Sequence, residues 1–243
     1  MTPQTQTSTS DTLPPDLKAA RTRSVDNLQR LYTVVISLAI TEALRRIAAP
    51  PTPTYNSWLI LLSLIATVVP FYHGANRYLD STYVTGERAA LHFALMIDFL
   101  FLFFEGLLFF VLAMNSGSRE AFYTWLAGLF VFDIVWVSFA HMAALREGEA
   151  DPGFYRWAMM NVIATIALLL FLWSNLLKWE FWPTDLTKNI ALCAVVFLRT
   201  VYDYKNVWSF YYPRAQDRPY DRLVAPRPAP APHAPSPDDA RDK

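Results

Sequence analysis

The run of residues 89–114, AALHFALMIDFLFLFFEGLLFFVLAM, limits this chain more than any other part of it. Its 26 residues include only three ionisable groups, His92, Asp98 and Glu105. An α-helix rises about 1.5 Å per residue and the hydrocarbon core of a bilayer is about 30 Å thick, so the run is long enough to cross one. Leu and Phe are spread over every face, unlike the one-sided stripe of a soluble surface helix. Asp98 and Glu105 are seven residues apart, which sets them on one face about two turns from each other. An acid near the bilayer centre costs about 2.5–3.5 kcal/mol on insertion scales, so a face carrying two must look onto protein or water. The rest of the chain has to supply that lining.

Composition agrees with a membrane setting. The chain is 53% hydrophobic and 15% aromatic, with 17% charged residues and a mean hydropathy of +0.20, which is more apolar and less charged than a soluble domain of this length. The zero net charge hides a segregation of charge into tails and short loops. No basic excess points to nucleic acid. Cys193 is the sole cysteine, so an internal disulfide and a multi-cysteine zinc site are excluded. The expected fold is all-α, a polytopic integral membrane protein of about six transmembrane helices. Residues 1–24 read as a disordered cytoplasmic tail, 25–212 as the membrane domain, and 213–243 as a second disordered, Pro-rich tail. The polar, Pro/Thr/Ser-rich start has no apolar core of a cleavable signal, so the first apolar segment is expected to act as an uncleaved anchor.

In order, the spans are expected near residues 31–48, 57–76, 89–114, 121–144, 157–177 and 189–212. The first is the weakest, because Glu42, Arg45 and Arg46 interrupt it. These three are spaced for intrahelical pairing, and the arginines are able to snorkel to headgroups. The second contains Pro70, followed by His73 and Gly74. A Pro/Gly-interrupted helix carrying a histidine marks a transporter-like site or an ordinary helix end. The aromatic run NVWSFYY at 206–212 reads as an interfacial anchor of the last helix. With the N-terminus inside, the inner segments carry thirteen Lys and Arg (Lys18, Arg21, Arg23, Arg30, Arg77, Arg88, Arg146, Arg156, Lys205, Arg214, Arg218, Arg222 and Arg227). The outer loops carry five, Arg45, Arg46, Arg119, Lys178 and Lys188. Both termini are therefore expected in the cytoplasm. Arg outnumbers Lys, and Ala and Pro are frequent, which fits a bacterial inner membrane. A shift of 68 residues sets Phe71 on Phe139, His73 on His141 and Arg88 on Arg156, as three tandem helical hairpins would.

Two groups of residues carry chemistry. Asp98, Glu105, Asp133 and Arg199 fall well inside expected spans, with Asp203 one turn beyond Arg199. Carboxylates outnumber the arginine, and a spare acid in a membrane must be protonated, hydrated or bound to a cation. The competing reading is a set of interhelical pairs that fix helix register. His73, His92 and His141 fall near the cytoplasmic ends of three helices. They fit a proton relay or a three-histidine metal site with an open fourth position, although no HExxH or histidine-box spacing is present. The competing reading for each is a half-wet interfacial residue.

Three function classes follow. The leading one is a cation- or proton-handling transporter or channel, its path lined by Asp98, Glu105, Asp133, Arg199 and Asp203. The second is a membrane-embedded metalloenzyme acting on a lipid-like substrate, with a metal ion as cofactor at His73, His92 and His141. The third is a non-catalytic scaffold or sensor whose Pro-rich tail binds a cytosolic partner. Expected partners are the lipid bilayer and further copies of the chain, with no nucleic acid. No P-loop, GxGxxG, GxSxG or potassium-filter sequence occurs.

Overall fold

Prolines and short polar runs divide the apolar sequence into helices. The computed structural model describes residues 15–48, 54–84, 92–146, 152–174 and 182–212, and no strand occurs among the described residues. The elements are α1 (Pro15–Ala48), α2 (Tyr55–Leu79), α3 (His92–Met114), α4 (Arg119–Arg146), α5 (Pro152–Leu172), α6 (Asp185–Asn206) and the single turn α7 (Trp208–Tyr211). Helix α2 continues as a π-helical turn over Asp80–Val84. Thr54 and Thr184 cap α2 and α6, each accepting a hydrogen bond from a backbone N–H three residues on, as N-cap threonines do.

Four helical stretches are long and apolar enough to cross a membrane: Tyr55–Val84, Leu95–Met114, Arg119–Met142 and Tyr155–Leu172. These are the features of a membrane-associated protein. Helices α1 and α6 fall outside that set. Helix α1 also begins at Pro15, inside the stretch expected as a disordered tail and well before residue 31. The reason is a buried stripe, Val25, Leu28, Tyr32, Ile36, Ala39, Ala43 and Ile47, spaced three and four residues apart on one helix face. Its first turns pack against the π-helical end of α2. The rest of the N-terminal tail and the whole segment 213–243 lie outside the described residues.

The six long helices close a ring in the order α1, α3, α4, α5, α6, α2, and α2 returns to α1. Helix α2 also touches α3 and α4 across the ring. This order does not repeat by hairpins. Helix α4 packs along α5, whereas α6 packs on α2 and α5 rather than on α1. The first hairpin is inserted in the reverse sense, so the 68-residue similarity does not appear as a threefold arrangement. Two glycines permit close approaches. A Cβ on Gly74 would stand 2.5 Å from Cη2 of Trp157, and one on Gly106 would stand 2.8 Å from Cγ1 of Val35. The outside of the ring is apolar: Val34 and Leu38 on α1, Phe103 and Phe104 on α3, and Leu198 and Val201 on α6 are exposed. The polar side chains Asp98, Glu105, Asp133, Asn161, Arg199 and Asp203 are buried instead.

Candidate functional site

The centre of the ring is assembled around a proline. Pro70 has no N–H, so the carbonyl of Ala66, four residues back, loses its helical donor. Thr200 on α6 supplies the replacement, its hydroxyl donating to the Ala66 oxygen at 2.7 Å. Side-chain hydroxyls are the usual repair for such a freed carbonyl inside a membrane helix. This bond ties α6 to α2 and fixes the depth of the adjacent Arg199.

Arg199 is 4% exposed. Its guanidinium carbon lies 4.8 Å from the ring centre of Phe71 and 5.4 Å from that of Phe130, so aromatic faces replace part of its lost hydration. Its Nε donates to Oδ1 of Asn161 at 3.0 Å. Asn161 in turn donates from Nδ2 to Oδ2 of Asp133. On the other side, Nη1 of Arg199 faces Oδ2 of Asp203 at 3.5 Å. The Tyr211 hydroxyl donates to the same Asp203 oxygen at 3.0 Å, and the Tyr211 ring stacks on His73 with centres 4.6 Å apart. His73 Nδ1 lies 3.3 Å from the Tyr204 hydroxyl. Glu105 on α3 accepts from the Tyr32 hydroxyl of α1 and lies within electrostatic reach of Asp133 and Arg199. Every helix of the ring therefore contributes a side chain, and α7 folds back to join at one end.

Two atoms in this network stay unpaired. Among the described residues, the buried Nη2 of Arg199 and Oδ1 of Asp203 have no hydrogen-bond partner. A buried unpaired polar atom costs about 1–3 kcal/mol, and more when charged. Such atoms call for a specific reason where they occur in pairs.

The expected residues are thus partly brought together. Asp133, Arg199 and Asp203 are joined through Asn161 and an ion pair, Glu105 stands beside them bonded to Tyr32, and His73 reaches the edge through Tyr211. Asp98 sits apart. The Tyr83 hydroxyl donates to it at 2.6 Å and Nε1 of Trp136 at 3.2 Å, so α3, α4 and the π-helical turn are joined there. His141 is half-buried on α4, and the side chain of His92 lies outside the described residues. No three His, Cys, Asp or Glu side chains converge as a metal ion would need, among the described residues.

Several participants were not singled out by sequence. Tyr32, Asn161 and Thr200 are ordinary residues in apolar runs until their neighbours are known. Tyr211 belongs to the run expected to anchor the last helix. Trp208 of that run is exposed, but Tyr211 is 3% exposed and hydrogen-bonded inside. Lys188, assigned to an outer loop, is buried, and its Nζ donates to the Leu172 carbonyl at 2.7 Å. It thereby occupies one of the carbonyls left open at the end of α5. No protein-family model, no curated protein and no solved structure matches the chain.

Proposed function

We propose that the chain is a six-span membrane protein, with both termini in the cytoplasm, that conducts protons or small cations through the network of Glu105, Asp133, Arg199 and Asp203. Six spans are supported by the helices that hydropathy omits. Helix α6 has 22 residues, about 33 Å at the usual rise, and fills the ring between α2 and α5. Its low apparent hydropathy comes in large part from Lys188, Asn189, Arg199 and Asp203, all buried, while Leu198 is 69% exposed and Val201 62% exposed. Helix α1 likewise turns Val34 and Leu38 outward and Tyr32 inward.

The observation that carries the functional reading is the paired orphan atoms, Arg199 Nη2 and Asp203 Oδ1. Among the described residues, buried atoms without a partner also occur at Ser116, Trp157 and Asn189, none of them ionisable, whereas Arg199 and Asp203 are. The network leaves a donor and an acceptor open beside a single guanidinium and three carboxyl groups. A low-dielectric site does not hold uncompensated carboxylates, so this group takes up protons or cations to balance charge. The carboxyl groups of Glu105, Asp133 and Asp203 are the members able to take up and release a proton, while Arg199 and Asn161, which donate to Asp203 and Asp133, hold those acids in place and relay none themselves.

The test is flux into liposomes loaded with a proton-sensitive dye, under imposed potassium or sodium gradients. Asp133→Asn and Glu105→Gln are expected to abolish flux in folded protein, and Asp98→Asn, outside the network, to retain most of it. Unchanged flux in both Asp133→Asn and Glu105→Gln would overturn the proposal.

A further inference from the structure

A second polar site lies on the outer surface of the ring, bordering this network where Tyr72 stacks on Tyr32 with ring centres 5.9 Å apart. A pocket of about 410 Å³ opens between α1 and α2, lined by Asp26, Gln29, Arg30 and Thr33 on one helix and Tyr72 and Asn76 on the other. We propose that this pocket binds a phosphoethanolamine group, carried by a membrane lipid.

The charges come first. Asp26 and Arg30 are four residues apart on one helix face, the spacing at which opposite charges usually pair. Both are exposed, and among the described residues no ion pair joins them. An acid and a base lining one pocket match a ligand that carries both signs, with phosphate on the guanidinium and ammonium on the carboxylate.

The hydrogen-bonding lining then selects the kind of ammonium. Gln29 donates from Nε2 to the Asn76 backbone carbonyl at 3.2 Å, and Asn76 donates from Nδ2 to the Tyr72 carbonyl at 2.9 Å. Both side-chain amides are thereby fixed in orientation, with their oxygens left as acceptors. The Thr33 hydroxyl donates to the Gln29 carbonyl at 2.7 Å, so the Tyr72 hydroxyl, 2.8 Å from it, is the donor of that pair and keeps its lone pairs. Besides Arg30 and the second N–H of each amide, the lining offers oxygen acceptors around a carboxylate. A primary ammonium has three N–H donors to give them, and a trimethylammonium has none.

The surroundings argue for the lipid form over a water-soluble ester. On the membrane orientation proposed above, the pocket lies at the cytoplasmic interface, between the basic start of α1, with Lys18, Arg21 and Arg23, and the bilayer. From Asn76 and Tyr72 the same stripe of α2 continues through Val69, Ile65 and Leu62, all exposed. Those positions, three and four residues apart, form an apolar track on which an acyl chain attached to the bound headgroup would lie. The inference rests on that orientation and not on proton or cation flux, so loss of the flux proposal leaves it intact.

The experiment is native mass spectrometry of the full chain released from detergent, titrated with phosphatidylethanolamine, phosphatidylcholine and phosphatidylglycerol of identical acyl chains. Phosphatidylethanolamine is expected to bind about tenfold tighter than the other two, and Asp26→Asn or Arg30→Gln to lose that tenfold preference. Both positions are exposed, and an unchanged melting temperature verifies that the variants fold. Equal binding of the ethanolamine and choline lipids, or undiminished preference in Asp26→Asn, would overturn the assignment. Glycerophosphoethanolamine at matched concentration is expected not to displace the lipid. Its displacement would overturn the lipid as the source and give the site to a soluble ester.

Discussion

At the scale of single residues, the bundle depends on repairs to its own backbone. Pro70 breaks one hydrogen bond of α2, and Thr200 replaces it from α6. Thr200→Val keeps the shape and removes the hydroxyl, leaving the Ala66 carbonyl buried without a donor. It is expected to cost about 1–3 kcal/mol, read as a lower unfolding midpoint in detergent, while Thr200→Ser stays near wild type. A midpoint for Thr200→Val equal to wild type would mean that the carbonyl finds another donor. Tyr211 acts on both chemistry and stability. Its hydroxyl donates to the buried Asp203 carboxylate, so Tyr211→Phe is expected to slow flux and to cost about 1–3 kcal/mol, read as a lower melting temperature. The acids of the network were legible in sequence because a charge in an apolar run stands out. Tyr32, Asn161 and Tyr211 were not, since a tyrosine or an asparagine in such a run has a dozen ordinary uses. Only the partner across the helix interface distinguishes them.

Among the elements, hydropathy and structure part company at α1 and α6. An apolar run is read from the sum over all faces, and both helices divide their faces. Helix α6 hides Arg199 and Asp203 inside and shows Leu198 and Val201 outside. Helix α1 begins in a polar stretch whose stripe of Val25, Leu28 and Tyr32 is visible only when residues are counted by threes and fours. The order of helices around the ring is hidden more deeply. The hydropathy of a helix does not reveal which neighbour it packs on, so the reversed first hairpin had no signal in the similarity at 68 residues. Close packing at glycine is testable here. The Trp157 ring covers Gly74 so closely that a Cβ would stand 2.5 Å from it. Gly74→Ala is therefore expected to force α5 away from α2 and to cost about 1–3 kcal/mol, measured as a drop in melting temperature. No drop would mean that the tryptophan swings aside freely.

For the whole molecule, the number of crossings decides which side each pole of the network faces. Six spans put residue 24 and residue 55 on opposite sides of the membrane, and four spans, with α1 lying outside the bilayer, put them on the same side. Single-cysteine variants Ser24→Cys and Tyr55→Cys, made with Cys193→Ser, separate the two. In right-side-out vesicles, a membrane-impermeant maleimide is expected to label residue 55 and spare residue 24. Equal labelling of both would reduce the ring to a four-span core. The most direct measurement of what the ring does is proton flux in liposomes holding the wild-type chain beside Asp133→Asn at equal, verified insertion. The buried network predicts dye acidification for the wild type and none above the empty-liposome leak for Asp133→Asn. Equal flux in the two, or no flux in a correctly inserted wild type, would contradict a conducting role and leave the network as the fastener that holds six helices in register.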